Sequence, residues 1–247
     1  MKCKLCLKEK PLCKKSHIVP RFLYKGMFYK GDNTLIKLNP ITLEKERGKI
    51  RTGIYDKDIL CESCENHIGK FEDYISNELF EGTKNYSKKS SITPIVGNNN
   101  LHKNLIKGLD YNHIKLFCLS IIWKAHHSKH EFFQNVDLGK YESQIRDMIL
   151  NIDPKEENIF PFAWFYYPEK KISTKALVPV RKFRLNNISI SYNLHINHHS
   201  IVYKISKDNN SSLDEFSPKK DNTFPIYSLQ GKTAKTHFEK LVGLKYF

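Results

Sequence analysis

The chain has 247 residues, with 41 lysines and arginines against 26 aspartates and glutamates, and a formal net charge of +15 at pH 7. Because 40% of its residues are hydrophobic and 12% are aromatic, the composition excludes a mainly disordered chain. The longest apolar run, LFCLSIIW at 116–123, is far shorter than the about 18 residues of a membrane span, and the N-terminus lacks the apolar segment of a secretory signal. We therefore expect a cytoplasmic protein with no membrane partner, in which cysteines more often bind metals than form disulfides.

The positive charge is concentrated near the N-terminus. Residues 1–31 contain eight lysines and Arg21 against one acidic residue, Glu9, whereas residues 32–90 are close to neutral. Clustered basic side chains bind nucleic acids by displacing the counterions of the phosphates, so a nucleic acid is the expected partner. The alternative is a lysine-rich surface that only contacts solvent.

In chain order, the first 80 residues predict loops and strands around the cysteines and then a helix over 62–79. Hydrophobic residues recur at helical spacing in that helix: Ile68, Phe71, Ile75 and Leu79. The polar stretch 81–100 predicts a linker or a loop. A second helical pattern over 105–125 predicts either one long helix or two helices broken near 108–110.

The remaining chain predicts a mixture of strands and helices. A short helix is expected over 141–149 and a closing helix over 232–244. Strands are expected at 160–168, 188–196 and 200–206, the last two forming a hairpin, with a polar loop at 207–223. The predicted class is therefore α+β, with a small N-terminal unit at 1–80, a linker at 81–100, and a mixed helical and antiparallel-β unit at 101–247.

Two cysteine pairs are the strongest chemical signal in the sequence. Cys3 and Cys6, and then Cys61 and Cys64, each flank two residues, a spacing that directs two thiolates toward one tetrahedral cation. We expect all four to hold a structural Zn²⁺ in a treble-clef arrangement, which tolerates the long segment between the pairs. The alternatives are four unrelated buried cysteines, or Cys13 as a substitute ligand.

A closed four-cysteine site has no open coordination position, so any chemistry must come from other residues. His17, in the stretch SHIVP, lies between the two pairs, and Glu65 directly follows Cys64 at the start of the expected helix. A carboxylate there is a hard oxygen ligand suited to Mg²⁺ or Mn²⁺. A half-buried histidine at a strand end, or a redundant zinc ligand, are the alternatives for His17.

The combination of C-x-x-C, SHIVP and ILC-x-x-C-E resembles the HNH endonucleases of the ββα-metal (His-Me finger) superfamily, in the branch braced by a four-cysteine zinc site. The resemblance covers about the first 80 residues and implies an N-terminal treble-clef ββα-metal unit. It implies that His17 is the general base, that Asp56 braces the loop, and that Glu65 binds the catalytic Mg²⁺ or Mn²⁺.

The sequence departs from the family pattern at two positions. Ser16 stands where the family usually has an acidic residue or a histidine, and Glu65 stands where its final histidine is expected. His67 and Glu72 are further candidate ligands of the catalytic metal, although a solvated helical carboxylate is the equal alternative for Glu72. Basic residues that flank the base are expected to bind phosphates: Lys14, Lys15 and Arg21.

The resemblance implies a metal-dependent endonuclease that hydrolyses phosphodiester bonds, with DNA favoured over RNA, in anti-phage defence or restriction. The C-terminal unit would then select the substrate or receive a signal from a regulatory protein partner. The alternative is a catalytically inactive, zinc-stabilised nucleic-acid-binding or adaptor protein, for which Ser16 is the first sign.

Overall fold

The computed structural model describes residues 1–29, 34–39, 42, 44–50, 53–81, 91–96, 101–168, 176–185, 189–206 and 213–242. Within these ranges the protein is α+β, with four α-helices and a mixed sheet of nine strands. None of the helices in the described part of the chain combines the length and the apolar character needed to cross a bilayer.

Of the four α-helices in the described residues, α2 has a side-chain N-cap. The first, α1, follows Cys61 and continues into a π-helical turn, Ser76–Glu81. The second, α2, is capped by Asp110, whose side-chain Oδ1 accepts a hydrogen bond from the backbone N–H of His113 at 2.9 Å. The bounds are α1 Glu62–Ile75, α2 Tyr111–His127, α3 Glu142–Asn151 and α4 Gly231–Val242.

The strands form one small sheet and one large sheet. The two-stranded sheet pairs β1 with β4, and the nine-stranded sheet has the order β3-β2-β8-β9-β10-β7-β11-β6-β5. In the large sheet, β2 is parallel to β8 and β7 is parallel to β11, and the other neighbours are antiparallel. The strands are β1 Ser16–His17, β2 Thr34–Leu38, β3 Lys45–Lys49, β4 Tyr55–Asp56, β5 Ser91–Val96, β6 Leu101–Lys107, β7 Phe162–Tyr166, β8 Ala176–Leu185, β9 Ser189–Asn197, β10 His199–Lys204 and β11 Thr223–Leu229.

The predicted hairpin is confirmed, because β9 and β10 pair antiparallel on either side of a tight turn. The helix predicted over 105–125 is wrong in its first part, where the chain forms β6 between β5 and β11. Gly108, with a φ of 83°, ends that strand, and the helix begins only at Tyr111. Ser91–Val96, within the stretch predicted as a linker or loop, is β5, and the rest of that stretch lies outside the described residues.

The large sheet separates two hydrophobic cores. The larger core packs α1, α2 and α3 against one face, and Trp164 belongs to it. The smaller core lies on the other face and contains Phe165 of β7, Tyr227 of β11 and Phe238 of α4. This alternation along β7 is what a strand buried on both faces requires. Strands from residues 1–80 and from residues 101–247 share this sheet, and the division of the chain into two units stays a prediction.

Candidate functional site

Four thiols are gathered at one point of the N-terminal region. The sulfur atoms of Cys3, Cys6, Cys61 and Cys64 all lie within 4.8 Å of one another. The Cys6 and Cys61 sulfurs are 3.9 Å apart, close to the about 3.8 Å that separates two ligands of a tetrahedral site with zinc–sulfur bonds of about 2.3 Å. The four cysteines therefore lie close enough to bind a metal ion such as zinc. Cys13, the alternative ligand, is not part of this group.

The backbone explains why the two pairs converge. The first pair lies on a tight turn in which the Leu7 N–H donates to the Cys3 carbonyl at 3.0 Å, and the second lies where α1 begins. Burial raises the pKa of the Cys61 thiol, but hydrogen bonds to Ser63 and Cys64 outweigh it and bring that pKa to about 6. Burial raises the pKa of Cys3 and of Cys64, so a cation is needed to hold those two as thiolates.

The short sheet of β1 and β4 fixes the position of His17. His17 pairs with Tyr55 in this antiparallel sheet, and Ser16 pairs with Asp56. The Ile18 N–H donates to the Ile54 carbonyl at 3.0 Å, which extends the pairing by one residue. Helix α1 is the next element after β4, and its first turn carries Cys64 of the cysteine cluster and then Glu65.

A cavity of about 600 Å³, called here the His17 cavity, lies between β1 and α1. It brings together four of the residues predicted from the sequence: His17, Arg21, Glu65 and Glu72. Lys25 also lines it, a residue that the sequence patterns did not single out. The other lining residues are Pro20, Phe22, Tyr24, Phe28, Asp73 and Ser76. An imidazole, carboxylates and exposed cations therefore meet in one cleft.

Glu65 lines this cavity and is partly buried. Burial raises the pKa of its carboxyl above the usual range, and the charge of Glu72 adds to this, while Lys124 and the Ser16 hydroxyl oppose it. The Ser16 hydroxyl lies close enough to the Glu65 carboxyl to lower its pKa, but among the residues that the structure describes neither Glu65 Oε2 nor Ser16 Oγ forms a hydrogen bond of normal length and angle. Two buried oxygens without such bonds are costly, and a hard cation or a water molecule would satisfy them.

Glu72 is not a solvated carboxylate. Its Oε1 accepts a hydrogen bond at 2.6 Å from the ammonium of Lys124, a residue of α2 that is only 1% exposed. Lys124 was missed at the level of sequence, although a lysine within the apolar run of 116–125 is an available signal. It places a buried positive charge beside Glu65 and Glu72, two of the four carboxylates of α1.

Two residues predicted to act in catalysis or to bind the catalytic metal, Asp56 and His67, lie outside the cavity lining. Asp56 Oδ2 accepts hydrogen bonds from the Ser128 hydroxyl and the Lys129 backbone N–H, both at 2.7 Å, and thereby connects β4 to the end of α2. The Nε2 atom of His67 lies 2.8 Å from the Ile149 carbonyl of α3. His67 therefore does not line the cavity with Glu65, and the bracing role of Asp56 stays a prediction.

The predicted phosphate-binding residues fall into two groups. Arg21 lines the cavity with Lys25, and both are exposed. Lys14 and Lys15 are also exposed but lie outside the cavity lining, and the Lys15 ammonium sits 5.3 Å from the centre of the Tyr55 ring. Comparison of the chain with models of protein families, with curated proteins and with solved structures gave no match in any of the three.

Proposed function

We propose that the protein is a metal-dependent, HNH-like endonuclease that hydrolyses phosphodiester bonds, with DNA favoured over RNA. The observation that carries this proposal is the His17 cavity, in which an imidazole from β1 and a buried carboxylate from α1 line one cleft. Exposed Arg21 and Lys25 at the same cleft suit an anionic substrate.

The proposal includes a structural role for the cysteine cluster. Zinc held by the four cysteines would fix the start of α1, because Cys61 and Cys64 lie there and Glu65 follows directly. The order of β1, β4 and α1 in the chain is the order that a ββα-metal unit of the treble-clef type requires. Glu65 would therefore be positioned by the zinc site without contacting it.

In this mechanism His17 takes a proton from the attacking water. A neutral imidazole is suited to this near pH 7, and its position is fixed by the pairing of β1 with β4. Arg21 and Lys25 bind oxygens of the phosphates that flank the scissile bond, with the guanidinium of Arg21 able to form two parallel hydrogen bonds.

Glu65 Oε2 and the neighbouring Ser16 Oγ, two buried oxygens without regular hydrogen bonds in the described part of the chain, suit a divalent cation. Glu65, helped by the Ser16 hydroxyl, would hold Mg²⁺ or Mn²⁺ there, and both are oxygen ligands of the kind these ions prefer. Such a cation supplies charge stabilisation for the phosphoryl oxygens and the leaving oxygen. Glu72 would contribute through its charge, because its carboxylate is already paired with Lys124.

A second candidate function is a catalytically inactive nucleic-acid-binding or adaptor protein. The buried ammonium of Lys124 favours this function, because the lysine already provides a positive charge beside Glu72 and lowers the pKa of Glu65. A permanent cation at that point lessens the need for a metal ion. The exposed basic residues would still bind phosphates in this case.

Nicking of supercoiled plasmid DNA, with added Mg²⁺ or Mn²⁺, distinguishes the two functions. We expect His17→Ala to slow cutting about 100-fold or more, as the loss of a general base does, and Glu65→Gln to have a similar effect. Glu62→Gln is the matched control, because Glu62 is an exposed carboxylate of the same helix outside the cavity lining. If all these proteins bind DNA and none cuts it with either metal, the enzyme proposal fails and the binding protein remains.

A further inference from the structure

A second cavity, of about 420 Å³, lies against the face of the large sheet formed by β6, β7, β10 and β11. It is called here the aromatic cavity. Its other wall is the π-helical turn Ser76–Glu81, which contributes Phe80. Its volume falls within the range of about 300–1,000 Å³ that is usual for sites that bind small organic molecules. Nothing in the proposed nuclease mechanism uses this cavity.

Four rings form most of its surface. His199 and Tyr166 are stacked, with ring centroids 5.1 Å apart and an interplanar angle of 29°. Phe80 approaches His199 at 5.3 Å, and Trp164 meets it edge-on at 5.7 Å. Such an arrangement offers ring faces and edges to a flat ligand, with which it can stack.

The lining carries no charge. The Trp164 indole N–H donates to Nδ1 of His199 at 3.2 Å, so the neutral His199 ring carries its proton on Nε2. Burial lowers the pKa of His199 to about 3, so the ring stays neutral at physiological pH. No lysine, arginine, aspartate or glutamate is among the described residues that line the cavity. A phosphate or a carboxylate would find no counter-charge there.

One polar pair interrupts the apolar lining. The Asn104 side-chain N–H donates to the Ser228 hydroxyl oxygen at 2.8 Å, which leaves the Ser228 hydrogen as a donor. Within the described part of the chain, the Asn104 amide oxygen accepts no hydrogen bond, so it is available as an acceptor. A donor and an acceptor therefore lie side by side at the rim of the aromatic walls.

We propose that the aromatic cavity binds an uncharged, planar, hydrogen-bonding ring of the size of a nucleobase. The rings stack on the faces of the ligand, and Asn104 and Ser228 pair with its edge, as in sites that read unstacked bases. An aliphatic ligand would leave the polar pair unsatisfied, and the neutral lining disfavours a charged one.

The ring has two sources that share this chemistry, a free nucleoside and an unpaired base of a nucleic acid. Phe22, which lines the His17 cavity, and Phe80, which lines the aromatic cavity, are in contact with ring centroids 4.8 Å apart. The two cavities are therefore neighbours, and a base turned out of a bound chain would enter the second while its phosphates lie at the first. Binding of a free nucleoside does not depend on the proposed nuclease activity.

The test is a ligand-observed NMR titration of the full chain with adenosine, guanosine, cytidine and thymidine, without added magnesium. We expect at least one nucleoside to bind with a dissociation constant of about 1 mM or lower. Phe80→Leu should weaken binding about tenfold, because it removes a stacking ring, and Ser228→Ala severalfold. Tyr227→Phe is the matched control, since Tyr227 belongs to the smaller core on the opposite face of the sheet.

A second arm uses a DNA hairpin with one unpaired base and a fully paired hairpin of the same length. If the nucleosides do not bind but Phe80→Leu and Ser228→Ala selectively weaken binding of the first hairpin, the base of a chain is the source. The proposal is overturned if neither probe is affected by these variants, or if nucleosides bind all variants equally. His17→Ala should bind nucleosides as the wild type does, so failure of the nuclease proposal is recognised separately.

Discussion

The cysteine cluster and the His17 cavity both use residues of the first turns of α1. They differ in how the polar atoms buried there could be satisfied. In the cluster, four thiols lie within 4.8 Å of one another, so one cation satisfies all of them. At the cavity, the lining residue Glu65 has a buried Oε2 atom, and Ser16 Oγ next to it is also buried; within the part of the chain that the structure describes, neither atom forms a hydrogen bond of normal geometry. One cation at the cluster would therefore add stability, whereas the two oxygens at the cavity carry a cost in stability, as polar atoms at functional sites often do.

The two regions are nevertheless coupled through the chain. Cys64 belongs to the cluster and Glu65 is its neighbour on α1, so the position of the carboxylate depends on the metal-binding geometry. The backbone N–H of Glu65 donates to the Cys61 carbonyl at 2.9 Å, in the first turn that Cys61 begins. Breaking the cluster should consequently affect both regions, whereas changes in the cavity should leave the cluster intact.

The largest effect is expected from loss of the cluster. Structural zinc sites contribute on the order of 10–16 kcal/mol of apparent binding free energy, so Cys61→Ser should unfold the N-terminal region at room temperature. Cys13→Ser is the matched control, because this half-buried cysteine lies outside the cluster. Zinc content and thermal melting with and without a chelator measure the outcome. Wild-type zinc content and melting in Cys61→Ser would contradict the structural role of the cluster.

A smaller effect is expected when the ion pair beside the cavity is broken. Lys124→Met leaves the Glu72 carboxylate, which is 22% exposed, without its buried partner. Removing one member of a buried pair costs about 3 kcal/mol or more, and the partial exposure of Glu72 favours the lower value. Urea unfolding of the zinc-loaded protein measures this loss.

The double variant Lys124→Met, Glu72→Gln is the control for that experiment, because it removes both charges. We expect it to recover most of the lost free energy of unfolding. Lys124→Met should also increase the affinity for Mg²⁺, since Glu65 and Glu72 then lack a competing ammonium. An unchanged Mg²⁺ affinity would favour the binding protein over the nuclease.

The sequence predicts the cluster better than the cavity for a physical reason. Metal-ligand spacing is local, so two C-x-x-C pairs are sufficient to predict that their thiols converge. The Lys124–Glu72 pair joins residues 52 positions apart on two packed helices, and no local pattern contains that packing. The sequence is sufficient to predict that His67 and Glu65 lie on different sides of α1, because residues two apart on a helix differ in direction by about 200°.

The fold shows the same limit. Helix α3 and the β9–β10 hairpin follow from local periodicity and turn residues, and both are present. The helical spacing of Leu105 and Leu109 was misleading, since two apolar residues four positions apart are too few to distinguish a helix from a strand. The pairing of β6 with β5 and β11 makes this segment a strand and not a helix. Strand pairing depends on distant parts of the chain, which a local pattern does not include.

A modest gain in stability is expected from Glu65→Gln. Because burial raises the folded-state pKa of Glu65, stability falls as the pH rises from the ordinary carboxyl pKa through the folded-state pKa, and the loss is complete above it. The variant should therefore gain about 1 kcal/mol at pH 8 and differ least from the wild type at acidic pH, where Glu65 is protonated. Melting of both proteins between pH 4 and pH 8 measures the difference.

The Glu65→Gln variant also tests whether Glu65 binds Mg²⁺. Added Mg²⁺ should raise the melting temperature of the wild type but not that of Glu65→Gln, because ligand binding stabilises only the protein that retains the site. Glu62→Gln should behave as the wild type in both measurements, since Glu62 is exposed. Equal stabilisation of all three proteins by Mg²⁺ would place the ion elsewhere.

The smallest effect on stability, and a distinct effect on binding, is expected at the rim of the cavity. Arg21 is exposed, so Arg21→Gln should leave the melting temperature unchanged within about 0.5 kcal/mol of unfolding free energy. If Arg21 contacts one phosphate, the slope of log affinity for DNA against log salt should decrease in magnitude by about 0.9. Lys14→Gln is the comparison, because Lys14 is equally exposed but lies outside the cavity lining. A change in the salt slope for Lys14→Gln together with none for Arg21→Gln would move the DNA path away from His17, since a strand cut at the cavity has to contact its rim.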